Sequence, residues 1–170
     1  DSPLDRETVG ANVYLNLINN AKSYVYIATP YLILDHEMTM ALSQAAKRNV
    51  DVKIITPHHG DKWYVHSVTR ANYSELIDNG VKIYEYEPGF IHAKNFIVDD
   101  EYAVIGTINL DYRSLYLHYE CATWLYKTTS VLDIRDDYLK TLAVSIPVSA
   151  RGLEKMPWYI KIIYAFLRIF

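Results

Sequence analysis

The sequence predicts an α/β domain: a mixed central β-sheet flanked by helices on both faces. Three observations carry that expectation. Helical and strand patterns alternate through the first half, which calls for parallel strands joined by crossover helices. Two strand-like runs then follow with only Asp99-Asp-Glu101 between them, a hairpin signal that adds antiparallel pairing. The chain has 170 residues and is 51% hydrophobic, enough for one sizeable core.

Taken in order, residues 7–21 place Val9, Val13, Leu17 and Ile18 at near-helical spacing. Residues 24–28 read as a strand closed by Thr29-Pro30, whose default role is a turn, although it could line a pocket. Asp35 stands where it would cap a helix reaching about residue 48. A strand over 51–56 and a long helix over 61–77 follow, the helix ended by Asn79-Gly80. Its aromatics Trp63, Tyr64 and Tyr73 are expected in the core. A third strand covers 81–85, the hairpin strands cover 92–98 and 102–106, another strand covers 116–126, and a helix covers 130–144. There is no repeat or low-complexity segment.

A domain boundary is expected near residue 150. Residues 151–170 change in character, with Lys155, Lys161 and Arg168 among Trp158, Tyr159 and other bulky apolar residues. Such a segment suits a helix lying at a membrane surface, and equally a terminal helix packed on the core. No run of 18 or more apolar residues spans a bilayer, and no signal peptide opens the chain. With Asp1 rather than Met at the start and Phe170 ending in mid-pattern, both ends look cut from something longer.

Charge narrows the function. Lys and Arg number 17 against 20 Asp and Glu, a formal net charge of −3. Nucleic-acid binders usually carry a basic excess because neutralised phosphates supply most of their affinity, so nucleic acid is not an expected partner. Cys121 is the only cysteine, so neither a disulfide nor a four-cysteine metal site can form; a buried small hydrophobe is its expected role.

The informative stretch is His92-Ala-Lys94-Asn-Phe-Ile-Val-Asp99, continued by Gly106-Thr107-Ile-Asn109. On a strand, residues two apart share a face, so His92 and Lys94 aim at one small volume. Gly106 would let the backbone approach whatever occupies that volume, and Thr107 and Asn109 would add a hydroxyl and an amide. An imidazole, an ammonium, a hydroxyl and an amide together suit a phosphate group. Metal-free chemistry on a phosphodiester needs an attacking group and a proton donor for the departing alkoxide, and histidine can serve as either. Glu120, on the next strand, is the candidate to orient the histidine ring.

His92-x-Lys94-x4-Asp99-x6-Gly106-Thr107-x-Asn109 resembles the HKD signature of the phospholipase D superfamily, with every position filled. Tyr26-Ile-Ala-Thr-Pro-Tyr31, Gly80-Val-Lys-Ile-Tyr84, Gly89-Phe90-Ile-His92 and Asn109-Leu-Asp-Tyr-Arg-Ser114 are similar to the second half of bacterial cardiolipin synthases, essentially end to end. The resemblance implies phosphatidyl transfer between two phosphatidylglycerol molecules, giving cardiolipin and glycerol through a phosphohistidine. His92 would be the nucleophile or the general acid. Lys94 and Asn109 would hold phosphate oxygens with Thr107 assisting, and Glu120 would orient His92. Asp99 completes the catalytic set by name, though in this family it is usually structural. No metal or organic cofactor is implied. The implied partners are an anionic phospholipid such as phosphatidylglycerol and a membrane surface. The implied place is the bacterial cell membrane, with the catalytic domain peripheral to it.

The superfamily's site uses two such motifs face to face. His36, His58, His59, His66 and His118 are not followed two positions later by lysine, so this chain holds one motif. The second would come from a missing N-terminal half or from a second copy of the chain. Two other readings are a homodimeric, nuclease-like phosphodiesterase and an inactive lipid-binding half-domain. His58-His59 near Asp61 invites a metal reading, but a turn before a helix explains the pair better. His36-Glu37 lacks the second histidine of a zinc-protease helix, since Met40 stands there. Asp111 and Arg113 are expected to pair and stiffen the loop after the motif.

Overall fold

The computed structural model describes residues 1–149. Its elements run α1 (Val9–Asn20), β1 (Tyr24–Ala28), β2 (Leu32–Ile33), α2 (His36–Lys47), β3 (Asp51–Pro57), α3 (Trp63–Ala71), α4 (Tyr73–Asp78) and β4 (Lys82–Tyr86). They continue with β5 (Asn95–Val98), β6 (Tyr102–Gly106), β7 (Leu110–Asp111), α5 (Tyr112–Tyr116), β8 (Ala122–Tyr126), α6 (Thr129–Ala143) and β9 (Ser145–Pro147). The expectation for residues 151–170 lies outside the described residues.

Seven strands form one sheet in the order β8-β6-β5-β1-β3-β4-β9. The helix-linked strands β1, β3 and β4 pair in parallel, because a chain returning through a helix enters the next strand in the same direction. Hairpin strands β5 and β6 and their neighbour β8 pair antiparallel. This is the mixed sheet that the sequence predicts.

Side-chain alternation divides the sheet into two apolar faces. Val25, Ile27, Val52, Ile54, Phe96 and Val104 face α1, α2 and α4. Ala28, Ile55, Ile97 and Ala103 face α6, where Val131 and Tyr138 are buried. Helices therefore cover both faces.

Several local signals work as their chemistry requires. Asp35 caps α2, its Oδ1 accepting from Met38 N at 2.8 Å. Gly80, with φ +96°, ends α4 in a left-handed turn whose Val81 N–H returns to Leu76 O. The predicted helix over 61–77 is instead two, α3 and α4. At Asn72 the backbone N–H bonds to Thr69 O, a tighter turn, while the Asn72 amide donates to Leu32 O at 3.1 Å and holds β2. Trp63 is 79% exposed, not core; Tyr73 is fully buried. The strand expected over 116–126 begins only at Ala122, because Asp111 caps the short helix α5 by accepting from Ser114 N at 2.8 Å. Cys121 is exposed, not buried, since it precedes an edge strand whose outer side is open.

Candidate active site

The signature residues gather where β5 and β6 meet the ends of the parallel strands. Ala28, the last residue of β1, pairs with Asn95, the first of β5, so the stretch leading into β5 sits at the carboxyl end of β1. His92 and Lys94 belong to this lead-in, not to the strand itself. His92 is exposed, and its ring stacks near Phe90 with centroids 5.8 Å apart. Lys94 Nζ donates to His92 O at 2.7 Å. Burial draws the Lys94 ammonium below its ordinary value, while Glu120 and Asp111 pull it the other way.

Gly106 closes the opposite hairpin strand. A Cβ there would lie 2.3 Å from Cys121 O and 2.5 Å from Ala122 Cα. The glycine therefore admits the backbone of β8, not the substrate that the sequence suggested. Gly106→Ala must push two paired strands apart, and an overpacking loss of about 2 kcal/mol is expected in denaturant unfolding; a variant as stable as the parent would contradict the close approach.

Beyond Gly106, Thr107 N donates to Cys121 O at 2.9 Å and Thr107 Oγ1 accepts from Cys121 N at 3.0 Å. The Thr107 hydroxyl proton goes to Glu120 Oε2. Glu120, its side chain 6% exposed, turns its other oxygen toward His118 Nδ1 at 3.5 Å. His118 Nε2 in turn accepts from Arg113 Nε at 2.7 Å. Glu120 thus pairs with Thr107 and His118 and makes no hydrogen bond to His92 among the described residues, unlike the expected orienting role. Arg113 likewise serves His118 and not Asp111, whose carboxylate is the α5 cap. Sequence reasoning missed His118; its signal was the spacing of two from Glu120 on an extended segment.

Asn109 Nδ2 donates to Ser114 Oγ at 3.0 Å, and its Oδ1 is buried without a hydrogen-bond partner. Half a turn of the amide would let Ser114 donate to Oδ1 instead.

Asp99 stands apart, at the far end of β5 from His92. It sits in the hairpin turn with φ +55°, followed by Asp100 at φ +58°. Its Oδ2 accepts from Lys22 N at 2.7 Å, and its Oδ1 accepts from Ser23 N and Tyr24 N, each at 2.8 Å. Both oxygens are thereby committed to the start of β1.

On β4, beyond β3 in the sheet, Glu85 is buried and takes Arg70 Nε at 2.8 Å, Arg70 Nη2 at 2.7 Å and His58 Nδ1 at 2.7 Å. Burial pushes the Glu85 carboxyl up, but the Arg70 and His58 hydrogen bonds outweigh it and hold the group below its ordinary value. A carboxylate lowered on folding contributes stability that is complete above its unfolded pKa and is lost as pH falls through the folded one. Glu85→Gln is expected to flatten the acid limb of stability below about pH 4, read by denaturant unfolding across that range; an unchanged limb would contradict the pairing. No group of three His, Cys, Asp or Glu side chains among the described residues is placed to hold a metal ion.

Comparison with known proteins places this geometry. A family model described as "Cardiolipin synthase, PLD-like domain" matches residues 14–142. An uncharacterized protein of Streptococcus mutans is 56% identical over 155 residues, covering 91% of this chain and 34% of its own length. A cardiolipin synthase of Alkalihalophilus pseudofirmus is 37% identical over 167 residues, covering 98% of this chain and 33% of its own length. The chain thus spans about a third of the curated relatives it matches. Among solved structures, the phospholipase D family member Nuc from Salmonella typhimurium superposes with a TM-score of 0.71 at 19% identity, covering 81% of this chain and 90% of that one.

Proposed function

The chain belongs to the cardiolipin synthase family of phospholipase D-like domains, and from that premise we propose that it supplies one of two histidine–lysine motifs to a phosphatidyltransferase. The observation that carries the reading is the meeting of His92, Lys94, Thr107, Asn109 and Glu120 at one end of the β5–β6 hairpin, within the family-matched segment.

In the proposed reaction one of the paired histidines attacks the phosphorus of phosphatidylglycerol. A nitrogen–phosphorus bond forms, the bond to glycerol breaks, and the other histidine gives the departing glycerol oxygen its proton. The hydroxyl of a second phosphatidylglycerol then gives its proton back to that histidine and displaces the first, yielding cardiolipin. His92 serves as one of the pair; its exposed ring leaves it open to the complementary motif. Lys94 offers a cation to the phosphate oxygens, and Asn109 offers its side-chain amide. Glu120 acts through Thr107 and His118, fixing the loop that carries Asn109. No metal or organic cofactor has a part in this scheme.

The complementary motif would come from another part of a longer protein, in keeping with relatives about three times the length of this chain. Among the described residues no helix is long and apolar enough to cross a membrane. From the lipid substrates of the proposed reaction, the domain is proposed to work at the face of the bacterial cell membrane.

Turnover of phosphatidylglycerol vesicles by this chain alone, and by the longer protein, tests the proposal. Cardiolipin formation by the longer protein only is the expected result. Activity of the short chain, as a dimer and on non-lipid diesters, would favour the nuclease-like reading instead.

A further inference from the structure

A second polar group stands on the same rim of the sheet as His92. Ala28 of β1 pairs on one side with Ile55 of β3 and on the other with Asn95 of β5. His58 lies three residues beyond Ile55, and His92 lies three residues before Asn95, so the two stand level above the sheet's end. Two strand spacings separate them, on the order of 10 Å.

His58 is held in a fixed pose. The buried Glu85 carboxylate takes its Nδ1–H, and Arg70 clamps that carboxylate with two further bonds. The other ring nitrogen, Nε2, is thereby free for a ligand on a side chain that is 31% exposed. His59 lies beside it, ring centroids 4.6 Å apart and edge to face, with no hydrogen bond from its own ring to the described residues. The loop carrying both packs closely on α3, since a Cβ on Gly60 would come within 2.5 Å of His66 Cβ. Burial and the nearby Arg70 draw His66 below its ordinary pKa. Arg70 already balances the charge of Glu85, and the Asp61 carboxylate in the same loop accepts from the Tyr31 hydroxyl. Helix α3 starts from this loop with no capping side chain and no acidic residue in its first turn.

We infer that His58 and His59, braced by Glu85 and Arg70, form a second phosphate-binding subsite, which takes the phosphate of the lipid that accepts the phosphatidyl group. Resting on the transfer reading above, His92 handles the phosphate of the donor lipid. The acceptor brings a second phosphate, set off from its reacting hydroxyl by a glycerol unit, and it needs a cationic rest to one side of His92. A histidine ring that takes up a proton as the anion binds offers it a charge-assisted N–H donor.

The first test is binding. Histidine ring resonances of the 170-residue chain are followed by NMR during titration with glycerol 3-phosphate. The expected result is a saturable shift of His58 and His59, lost in the His58→Gln/His59→Gln double variant and weakened in His59→Gln, whose ring makes no bond needed for folding. Shifts confined to His92, or persisting in the double variant, would overturn the subsite. Phosphatidylglycerol vesicles are expected to move the same two rings; their failure to do so while glycerol 3-phosphate succeeds would assign the site to free phosphate and overturn the lipid role. The second test is acceptor choice by the full-length protein. The rate of transfer to phosphatidylglycerol relative to free glycerol is expected to fall about tenfold in the double variant, the equivalent of one charge-assisted hydrogen bond. An unchanged ratio would overturn the acceptor role. Absence of all transfer by the parent protein would instead remove the transfer reading, leaving the binding titration to decide the anion site.

Discussion

His92→Ala in the full-length protein is expected to lower phosphatidyl transfer by about 10⁴-fold or more while leaving the fold intact. Removal of a nucleophile, or of its partner acid, abolishes the covalent route and leaves only binding and electrostatic stabilisation of the transition state. Because the His92 ring is exposed and lies beside Phe90, its loss opens no cavity, and the thermal midpoint should move by no more than about 2 °C. Activity assays on phosphatidylglycerol vesicles and a melting curve decide the matter together. Parent-like product formation would sink the assignment, and a collapsed melting curve would show that His92 holds the fold. Trapping separates the two roles open to the residue: if His92 is the nucleophile, no phosphorylated histidine accumulates in the variant.

Asp99→Ala is expected to act in the opposite sense, on stability and not on chemistry. Three backbone amides, those of Lys22, Ser23 and Tyr24, lose a charged acceptor at once, and a loss of about 3 kcal/mol follows even after allowance for partial exposure. Alanine also tolerates the left-handed turn less well than aspartate does. In a domain of this size the midpoint should fall by about 10 °C. Asp99→Asn, which keeps one oxygen and the turn preference, should recover roughly half of that loss. At a temperature where each variant is folded, turnover per molecule should match the parent. A turnover loss as large as that of His92→Ala would return Asp99 to the chemistry.

The parts of the fold that were legible from sequence are those whose causes are local. The strand over 24–28, the Asp35 cap and the Gly80 stop depend on neighbours within a few residues, and each appears where expected. Strands β2 and β7 were invisible because each is two residues long and exists only through the pairing of Leu32 with Leu110. The break at Asn72 was hidden for a similar reason: its amide reaches a carbonyl on a distant strand. The signature identified the residues of the candidate site but not their arrangement. Spacing placed Glu120 near the motif, yet only the approach of β8 across Gly106 shows that its carboxylate meets Thr107 and His118. Likewise the sequence offers His58-His59 as a mere pair, since the carboxylate that aims one of them comes from β4.

The place of β1 at the centre of the sheet also bears on how the chain assembles. Val25 pairs with Val52, close behind it in sequence, and with Val98, which is translated much later. The parallel strands can nucleate early, whereas the hairpin must close a long loop before it gains any partner, so its docking is expected to be the slow step of folding. Until that step is complete, one flank of β1 stays open as an unpaired edge, the kind of surface on which chains aggregate. His92, the proposed catalytic histidine, thus comes into position only as the last seam closes, and a molecule caught short of that point exposes a surface prone to aggregation.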